Sequence, residues 1–315
     1  MNAILLNGPS SAGKSTIARE LRARLDARGP VRVIALDDYL PMSPDEPVWE
    51  DDVFDVTPAM CADIAAALQR GCCVIIDHAI TSARIYAALC AALAPHGCLK
   101  VLVSCGAEQL LARERARGDR YPGSAEASLR CLYPREGYDL RIDSGALSPG
   151  EAAALIAACM GLTVRAMREG DLEPLHALLS DPEVMRYLEP PFTRARTAEF
   201  LRDAGPAEPP LVYAVDDAAG RFIGYAIYHG YDARSVEIGW VLMRSAWGRG
   251  CAQALTALMI ERARREGKDA VIECAPGQAV SAHIARKNGF AYRGRADGCD
   301  VYRLALGHAE PGRQE

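Results

Sequence analysis

Two short stretches of this chain hold the residue types that cradle phosphate groups at the start of a helix. The first is Gly8-Pro9-Ser10-Ser11-Ala12-Gly13-Lys14-Ser15-Thr16. Glycines at this spacing let the backbone wrap a phosphate with successive N–H groups pointing inward. A helix starting at Lys14 adds the positive end of its dipole. The Lys14 ammonium would reach the β and γ oxygens of ATP, and the Ser15 hydroxyl would take a place on Mg²⁺. Gly8, Ser10, Ser11, Ala12, Gly13, Lys14, Ser15 and Thr16 are therefore the expected nucleotide contacts. A glycine turn with a surface lysine is the plain alternative, and the predicted strand before and helix after argue against it. Of the 36 basic residues only Lys14, Lys100, Lys268 and Lys287 are lysines. The chain thus keeps a lysine where a point charge must reach phosphate.

Further along, Asp37 (with Asp38 beside it) follows the apolar run VRVIAL, at the strand end where ligands bind in open α/β sheets. A carboxylate there could accept the proton of a substrate hydroxyl. Asp77 ends CVIID and could orient a metal's water ligands or a substrate group. Arg113 and Arg117 lie i,i+4 on one helix face, with Arg120 in the Gly-Asp turn beyond. Positive charges closing over a transferring phosphoryl group are what that transition state rewards. His78, beside Asp77, reads either as a lining residue of this pocket or, more simply, as a satisfied core histidine. Pro44–Val56 carries Asp45, Glu46, Glu50, Asp51, Asp52 and Asp55 around Trp49, with no basic residue. It reads either as a solvated loop or as the rim of a pocket for a cationic substrate.

The second stretch is Arg244-Ser-Ala-Trp247-Gly248-Arg249-Gly250-Cys251-Ala252, between a predicted strand and a predicted helix. Small residues at 248, 250 and 252 let backbone N–H groups approach a pyrophosphate at a helix N-terminus.

The elements that position these residues fall into two sets. Ala3–Asn7, Val31–Leu36, Cys72–Asp77 and Lys100–Ser104 read as strands. They alternate with helices at Lys14–Ala27, Pro58–Gln69, Glu108–Arg117 and Pro149–Met160, a βαβ pattern that predicts a parallel sheet. After Gly161 the pattern changes. A strand opening at Leu162 precedes helices at Asp171–Ser180 and Thr197–Asp203. Consecutive strands follow at Leu211–Asp216, Phe222–Gly230 and Ser235–Met243. Helices Gln253–Glu266 and Val280–Asn288 then alternate with strands Ala270–Ala275 and Asp300–Ala305. This reading gives an α/β domain over 1–160, an α+β domain over 161–307 and a disordered tail over 308–315.

With these elements in place, ILLNGPSSAGKS, the LDD after the second strand, VIIDHAI, ARERARGDR and GYDLRIDSGALSP resemble the chloramphenicol phosphotransferase-like family over residues 1–158. The resemblance implies a P-loop kinase that moves the ATP γ-phosphoryl to a small-molecule hydroxyl. It implies Asp37 as base and Arg113, Arg117 and Arg120 as lid arginines. VEIGWVLMRSAWGRGCAQAL and SAHIARKNGF resemble the GNAT acetyltransferases over 162–307. That likeness implies acetyl-CoA, its pyrophosphate on Arg249, Gly250, Cys251 and Ala252 and its pantetheine arm along Val241, Leu242 and Met243. The family's asparagine aligns with Gln278, and the tyrosine that often protonates the departing thiolate falls at Ala285, so no acid is named. Glu237, on the strand beside the expected thioester, is a candidate base or amine-orienting group and otherwise a charge on a strand face, and Ser281 is a minor candidate polar contact.

Composition bounds the rest. The 315 residues are 50% hydrophobic with a net charge of −5, enough apolar content for two packed cores. Sixteen basic and twenty acidic residues precede Leu162, so most of the negative charge belongs to the first half. Acidity argues against a nucleic-acid partner, and no apolar run is long enough for a membrane span. Eleven cysteines without a C-x-x-C pair read as reduced thiols in a cytoplasmic protein. The expectation is a bifunctional antibiotic-modifying transferase whose substrate offers a hydroxyl and a basic amine. Two other readings stay open. One is a metabolite kinase fused to a protein N-terminal acetyltransferase, the other a nucleotide- and acetyl-CoA-sensing regulator.

Overall fold

In a computed structural model, which describes residues 2–205 and 208–307, the chain forms two compact units, 1–157 and 158–315. The disordered tail expected over 308–315 lies outside the described residues.

The first unit is built on a fully parallel five-stranded sheet. Its strands are β1 (Ala3–Asn7), β2 (Val31–Ala35), β3 (Cys73–His78), β4 (Cys98–Ser104) and β5 (Leu140–Asp143), in the order β2-β3-β1-β4-β5. Every residue of β1 is buried, as expected for a central parallel strand covered on both faces. After β1 the chain crosses to one side of the sheet and later to the other. The loop leaving β1 therefore sits at the topological switch point, where such sheets bind ligands. Helix α1 (Lys14–Leu25) buries Ile17, Ala18 and Leu21. Helices α2 (Glu50–Gln69) and α3 (Ala83–Leu93) supply Met60, Ile64, Ile85 and Leu89 to a core with Leu5, Val74 and Ile76.

Helix α2 starts eight residues before the Pro58 expected to open it. Most of the acidic stretch is therefore its first turns, where Glu50, Asp51 and Asp52 meet the positive end of the dipole. The Asp52 carboxylate accepts the Trp49 N–H at 2.8 Å. Glu50 and Asp51 pair with Arg84, whose bonds to Glu50, with that of Ser82, lower the Glu50 pKa to about 2. Helices α4 (Ala107–Arg117) and α5 (Ser124–Arg130) follow, and α6 (Pro149–Met160) carries the chain towards the second unit.

The second unit holds a seven-stranded sheet. Its strands are β6 (Leu162–Arg165), β7 (Val212–Asp217), β8 (Phe222–Asp232), β9 (Ser235–Leu242), β10 (Asp269–Cys274), β11 (Ala291–Ala296) and β12 (Cys299–Leu304), in the order β11-β12-β10-β9-β8-β7-β6. All pairs are antiparallel except β9 with β10. Helices α7 (Leu172–Leu179), α8 (Pro182–Met185) and α9 (Arg194–Ala204) bury Leu175, Leu178, Met185 and Phe200 against Tyr225 and Val241 of the sheet. Helix α10 (Cys251–Arg265) packs on β9, and α11 (Ala279–Lys287) follows β10. Arg165 bridges Asp171 and Asp216 at 2.7 and 2.6 Å, tying β6 to the start of α7 and to β7. Among the described residues no helix is long and apolar enough to cross a membrane. All eleven cysteines are unpaired.

Candidate functional site

The loop between β1 and α1 borders a cavity of about 1250 Å³ in the first unit, room for a nucleotide and a second small molecule. Two of its glycines are required by geometry. A Cβ on Gly8 would lie 1.9 Å from the Val103 carbonyl oxygen, and Gly13 adopts φ +89° where α1 begins. Helix α1 has no side-chain cap and no acid in its first turn, so its leading N–H groups stay available for an anion. Ser11 also sits at positive φ, 63°, and its buried hydroxyl has no partner among the described residues. This cradle fits a polyphosphate.

Lys14 is buried and donates from Nζ to the carbonyls of Gly8 (3.0 Å) and Pro9 (2.8 Å). Burial lowers its pKa, while the charges of Asp77 and Asp37 act in the opposite direction. Ser10, Gly13, Ser15 and Thr16 line the cavity, and Ala12 is fully buried beneath it. Asp37 lies in a short 3₁₀ turn just past β2 and Asp77 near the end of β3; both face the same space.

The three arginines converge there too. Arg113 donates to Ser144 Oγ at 2.9 Å and to the Ser144 carbonyl at 2.8 Å. Arg117 holds Asp119 through two 3.0 Å bonds, and Arg120 is ion-paired with Asp37. The segment is fixed by Glu114, a buried carboxylate that accepts the N–H groups of Gly123 (3.1 Å) and Ala125 (2.6 Å) at the start of α5. From α5, Ser128 Oγ accepts the Ser10 N–H at 2.9 Å, joining the arginine segment to the phosphate loop.

His78 takes the pocket-lining place of its two readings. It is 1% exposed, yet neither ring nitrogen has a hydrogen-bond partner among the described residues, and the residue lines the cavity. Burial, and then the Lys14 charge, lower its pKa to about 4. A buried imidazole beside Lys14, with only the Ala79 backbone acting on it and outside hydrogen-bond geometry, can offer its ring nitrogens to a ligand. Of the acidic stretch, Glu46 and Glu50 line this space together with Trp49, Val48 and Met42. Glu50 is already engaged by Arg84, which leaves Glu46 as the acid of that stretch most open to a substrate.

In the second unit, β9 and β10 pair only from Ser235–Asp269 to Glu237–Val271, although β9 runs on to Leu242 and β10 to Cys274. The sheet therefore opens between two of its central strands just beyond Glu237. Val241 and Leu242 lie on the β9 side of that opening. The Met243 N–H is already donated to the Ile223 carbonyl at 2.8 Å, so it is not free for a pantetheine arm. Trp247 Nε1 donates to the Leu242 carbonyl at 2.8 Å, folding the next turn back on the strand.

Beyond that turn, Gly248 and Gly250 take φ +71° and +78°, and α10 starts with neither a side-chain cap nor an acid. This second bare helix N-terminus, with Arg249, Gly250, Cys251 and Ala252 around it, fits a pyrophosphate. Gln278 occupies the N-cap position of α11 just past β10, without a side-chain bond to the helix. Glu237 is half-buried, and burial raises its pKa. Across the β8–β9 ladder it faces His229, which sequence reasoning passed over.

Comparison with known proteins agrees with this division. Residues 1–161 match the family model described as chloramphenicol phosphotransferase-like protein, and residues 161–291 match that for the acetyltransferase (GNAT) domain. Both are transferase families. No curated protein matches the chain. Among solved structures, a GNAT-family acetyltransferase from Bacillus anthracis is 22% identical, covering 45% of this chain and 92% of its own, with a TM-score of 0.41. The spermidine N-acetyltransferase from Vibrio cholerae, in complex with CoA and spermine, is 23% identical over 45% of this chain and 93% of its own, TM-score 0.38. An acetyltransferase from Salmonella typhimurium that modifies the N-terminal serine of ribosomal protein L7/L12 is 23% identical over 46% and 94%, TM-score 0.40.

Proposed function

The chain belongs to the chloramphenicol phosphotransferase-like family and carries a GNAT acetyltransferase domain behind it, and from this we propose a bifunctional, antibiotic-modifying enzyme. One half is an ATP-dependent O-phosphotransferase and the other an acetyl-CoA-dependent N-acetyltransferase. The observation that carries the first activity is the meeting of a bare helix N-terminus, Lys14, Asp37 and three arginines around one cavity. Asp37 accepts the proton of the substrate hydroxyl as oxygen attacks phosphorus, while Lys14 balances charge on the β and γ oxygens. Arg120 exchanges Asp37 for the transferring phosphoryl group, which frees the carboxylate when it is needed, and Arg117 adds a second charge. Ser15, which lines the cavity, would help to hold Mg²⁺, and the ion would supply charge neutralisation to the phosphoryl transfer.

The second activity draws its support from the opening between β9 and β10 and the uncapped start of α10. Residues 249–252 would hold the pyrophosphate of acetyl-CoA, and Glu237 would stand on the side of the opening that its thioester reaches. The two halves share a substrate with a hydroxyl and a basic amine, for which Trp49 offers a stacking face and Glu46 a charge at the rim of the kinase cavity. The unpaired cysteines suit a reducing compartment, the cytoplasm.

The test of the phosphotransferase is Asp37→Asn assayed with ATP against a panel of hydroxylated basic antibiotics. Phosphorylation is expected to fall by about two orders of magnitude or more, the scale of general base catalysis. Full activity in Asp37→Asn excludes Asp37 as the base.

A further inference from the structure

The face of the second sheet that α7 to α9 cover continues past the covered patch. Ile227 of β8 and Val241 of β9 pack against those helices. Two-residue alternation carries the same face on to His229 and Glu237. These two are direct partners in the β8–β9 register, with Nε2 and Oε2 3.4 Å apart. Glu237 is also the last β9 residue paired with β10, so the pair stands where the sheet opens.

The other ring nitrogen decides how the pair works. His229 Nδ1 lies 3.1 Å from the Gly230 carbonyl oxygen. A carbonyl only accepts, so Nδ1 carries the hydrogen, and in the neutral ring Nε2 holds a lone pair. That lone pair faces a carboxylate, which also only accepts. The contact becomes attractive when one proton enters it, on either group. We propose that His229 and Glu237 act together as the proton acceptor of acetyl transfer, an inference that rests on reading this unit as an amine acetyltransferase.

The surroundings suit that task. From β10, Glu273 faces Glu237 and accepts the Tyr231 hydroxyl at 2.7 Å. On β12 the Cys299 thiol is pushed up by burial and by the charges of Glu273, Glu237, Asp300 and Asp297. Among the described residues neither Glu237 nor Glu273 has a lysine or arginine partner; their contacts are His229 and Tyr231. An incoming ammonium therefore meets unbalanced negative charge. It gives one proton to the pair, its bonding electrons staying on nitrogen. The nitrogen lone pair attacks the thioester carbonyl carbon of acetyl-CoA, the C–N bond forms and the C–S bond breaks. Sulfur leaves with the C–S electrons and takes the second nitrogen proton, giving the thiol and the amide. The pair returns its proton to water through His229, whose side chain is 28% exposed.

The test uses the full chain with acetyl-CoA and a panel of primary amines. Without the imidazole, Glu237 has to take the proton alone. In His229→Gln the acid limb of kcat/KM is expected to move to lower pH and the neutral-pH value to fall about a hundred-fold, with coenzyme A affinity unchanged. An unmoved limb and rate overturn the pair while leaving the acetyltransferase reading intact. Nitrogen-15 NMR of histidine-labelled protein, assigned with the same variant, needs no turnover. The Nδ1–H tautomer of His229 is expected above the acid limb, and the Nε2–H tautomer overturns the proposal. Coenzyme A binding with no amine acetylated overturns the acetyltransferase reading and, with it, the pair's role.

Discussion

Replacing Arg120 by alanine separates what that residue does for the fold from what it does for phosphoryl transfer. Its side chain is 9% exposed and paired with Asp37, and its Nε has no partner among the described residues. Asp37 is 47% exposed, so water screens the pair and its loss costs on the order of 1 kcal/mol of stability. A guanidinium on a transferring phosphoryl group contributes far more, about 10³–10⁵ in kcat or about 4–7 kcal/mol. Arg117 lines the same cavity and shares that load, which places the expectation at the lower end. In Arg120→Ala, kcat for ATP-dependent phosphorylation should fall roughly a thousand-fold while the urea midpoint shifts slightly. Arg120→Lys should restore only part of the rate, because an ammonium lacks the planar fork. Steady-state phosphotransfer and urea denaturation on the same preparations give both numbers. A kcat within about threefold of the parent would refute the role of Arg120 in the transition state.

Other expectations follow from single contacts. His78 is buried with a pKa lowered to about 4, so the unfolded chain binds more protons than the folded one between about pH 4 and 6.5. Stability should rise with pH through that window, by up to ~3 kcal/mol, and be fully present above it. His78→Phe should flatten this part of the stability curve and raise KM for the hydroxyl substrate; an unchanged KM would assign His78 to the fold alone. Glu114→Ala leaves the N–H groups of Gly123, just before α5, and of Ala125, in its first turn, without their carboxylate and should cost about 2–3 kcal/mol in chemical denaturation. A loss below about 0.5 kcal/mol would show that other groups or water hold α5 equally well. Gly250→Val puts a β-branched residue at φ +78° where α10 begins. Coenzyme A affinity should drop at least about tenfold, a 1.4 kcal/mol effect, with ATP turnover unchanged. Equal loss of both activities would point to general damage instead.

How much of this the chain discloses in advance depends on whether a feature is local. The strand, phosphate loop and helix around Lys14 were legible because every requirement lies within about twenty residues. The start of α2 was not. Pro58 reads as a helix opener, whereas the helix begins at Glu50 and runs through it, so first-turn acids looked like a loop. Helix α3, the short α5, and β5 with four residues were missed. So was β11, whose mostly exposed AYRGRA gives no alternation to read. The candidate arginines were found from spacing, but their present partners, Asp119, Asp37 and Ser144, were not. For His78 the chain leaves a pocket place and a core place both open, because only packing reveals a buried histidine that the fold does not satisfy. His229 became relevant through the β8–β9 register, a pairing that no local pattern specifies.

The central claim is that one chain holds two separate transfer sites. The most direct measurement incubates the full-length protein with ATP, Mg²⁺ and acetyl-CoA against hydroxylated amine antibiotics and reads the products by mass. The account predicts phosphoryl and acetyl increments, with Lys14→Ala abolishing only the first and Gly250→Val weakening only the second. Loss of both increments in either variant, or no increment on any compound while both cofactors bind, would contradict it.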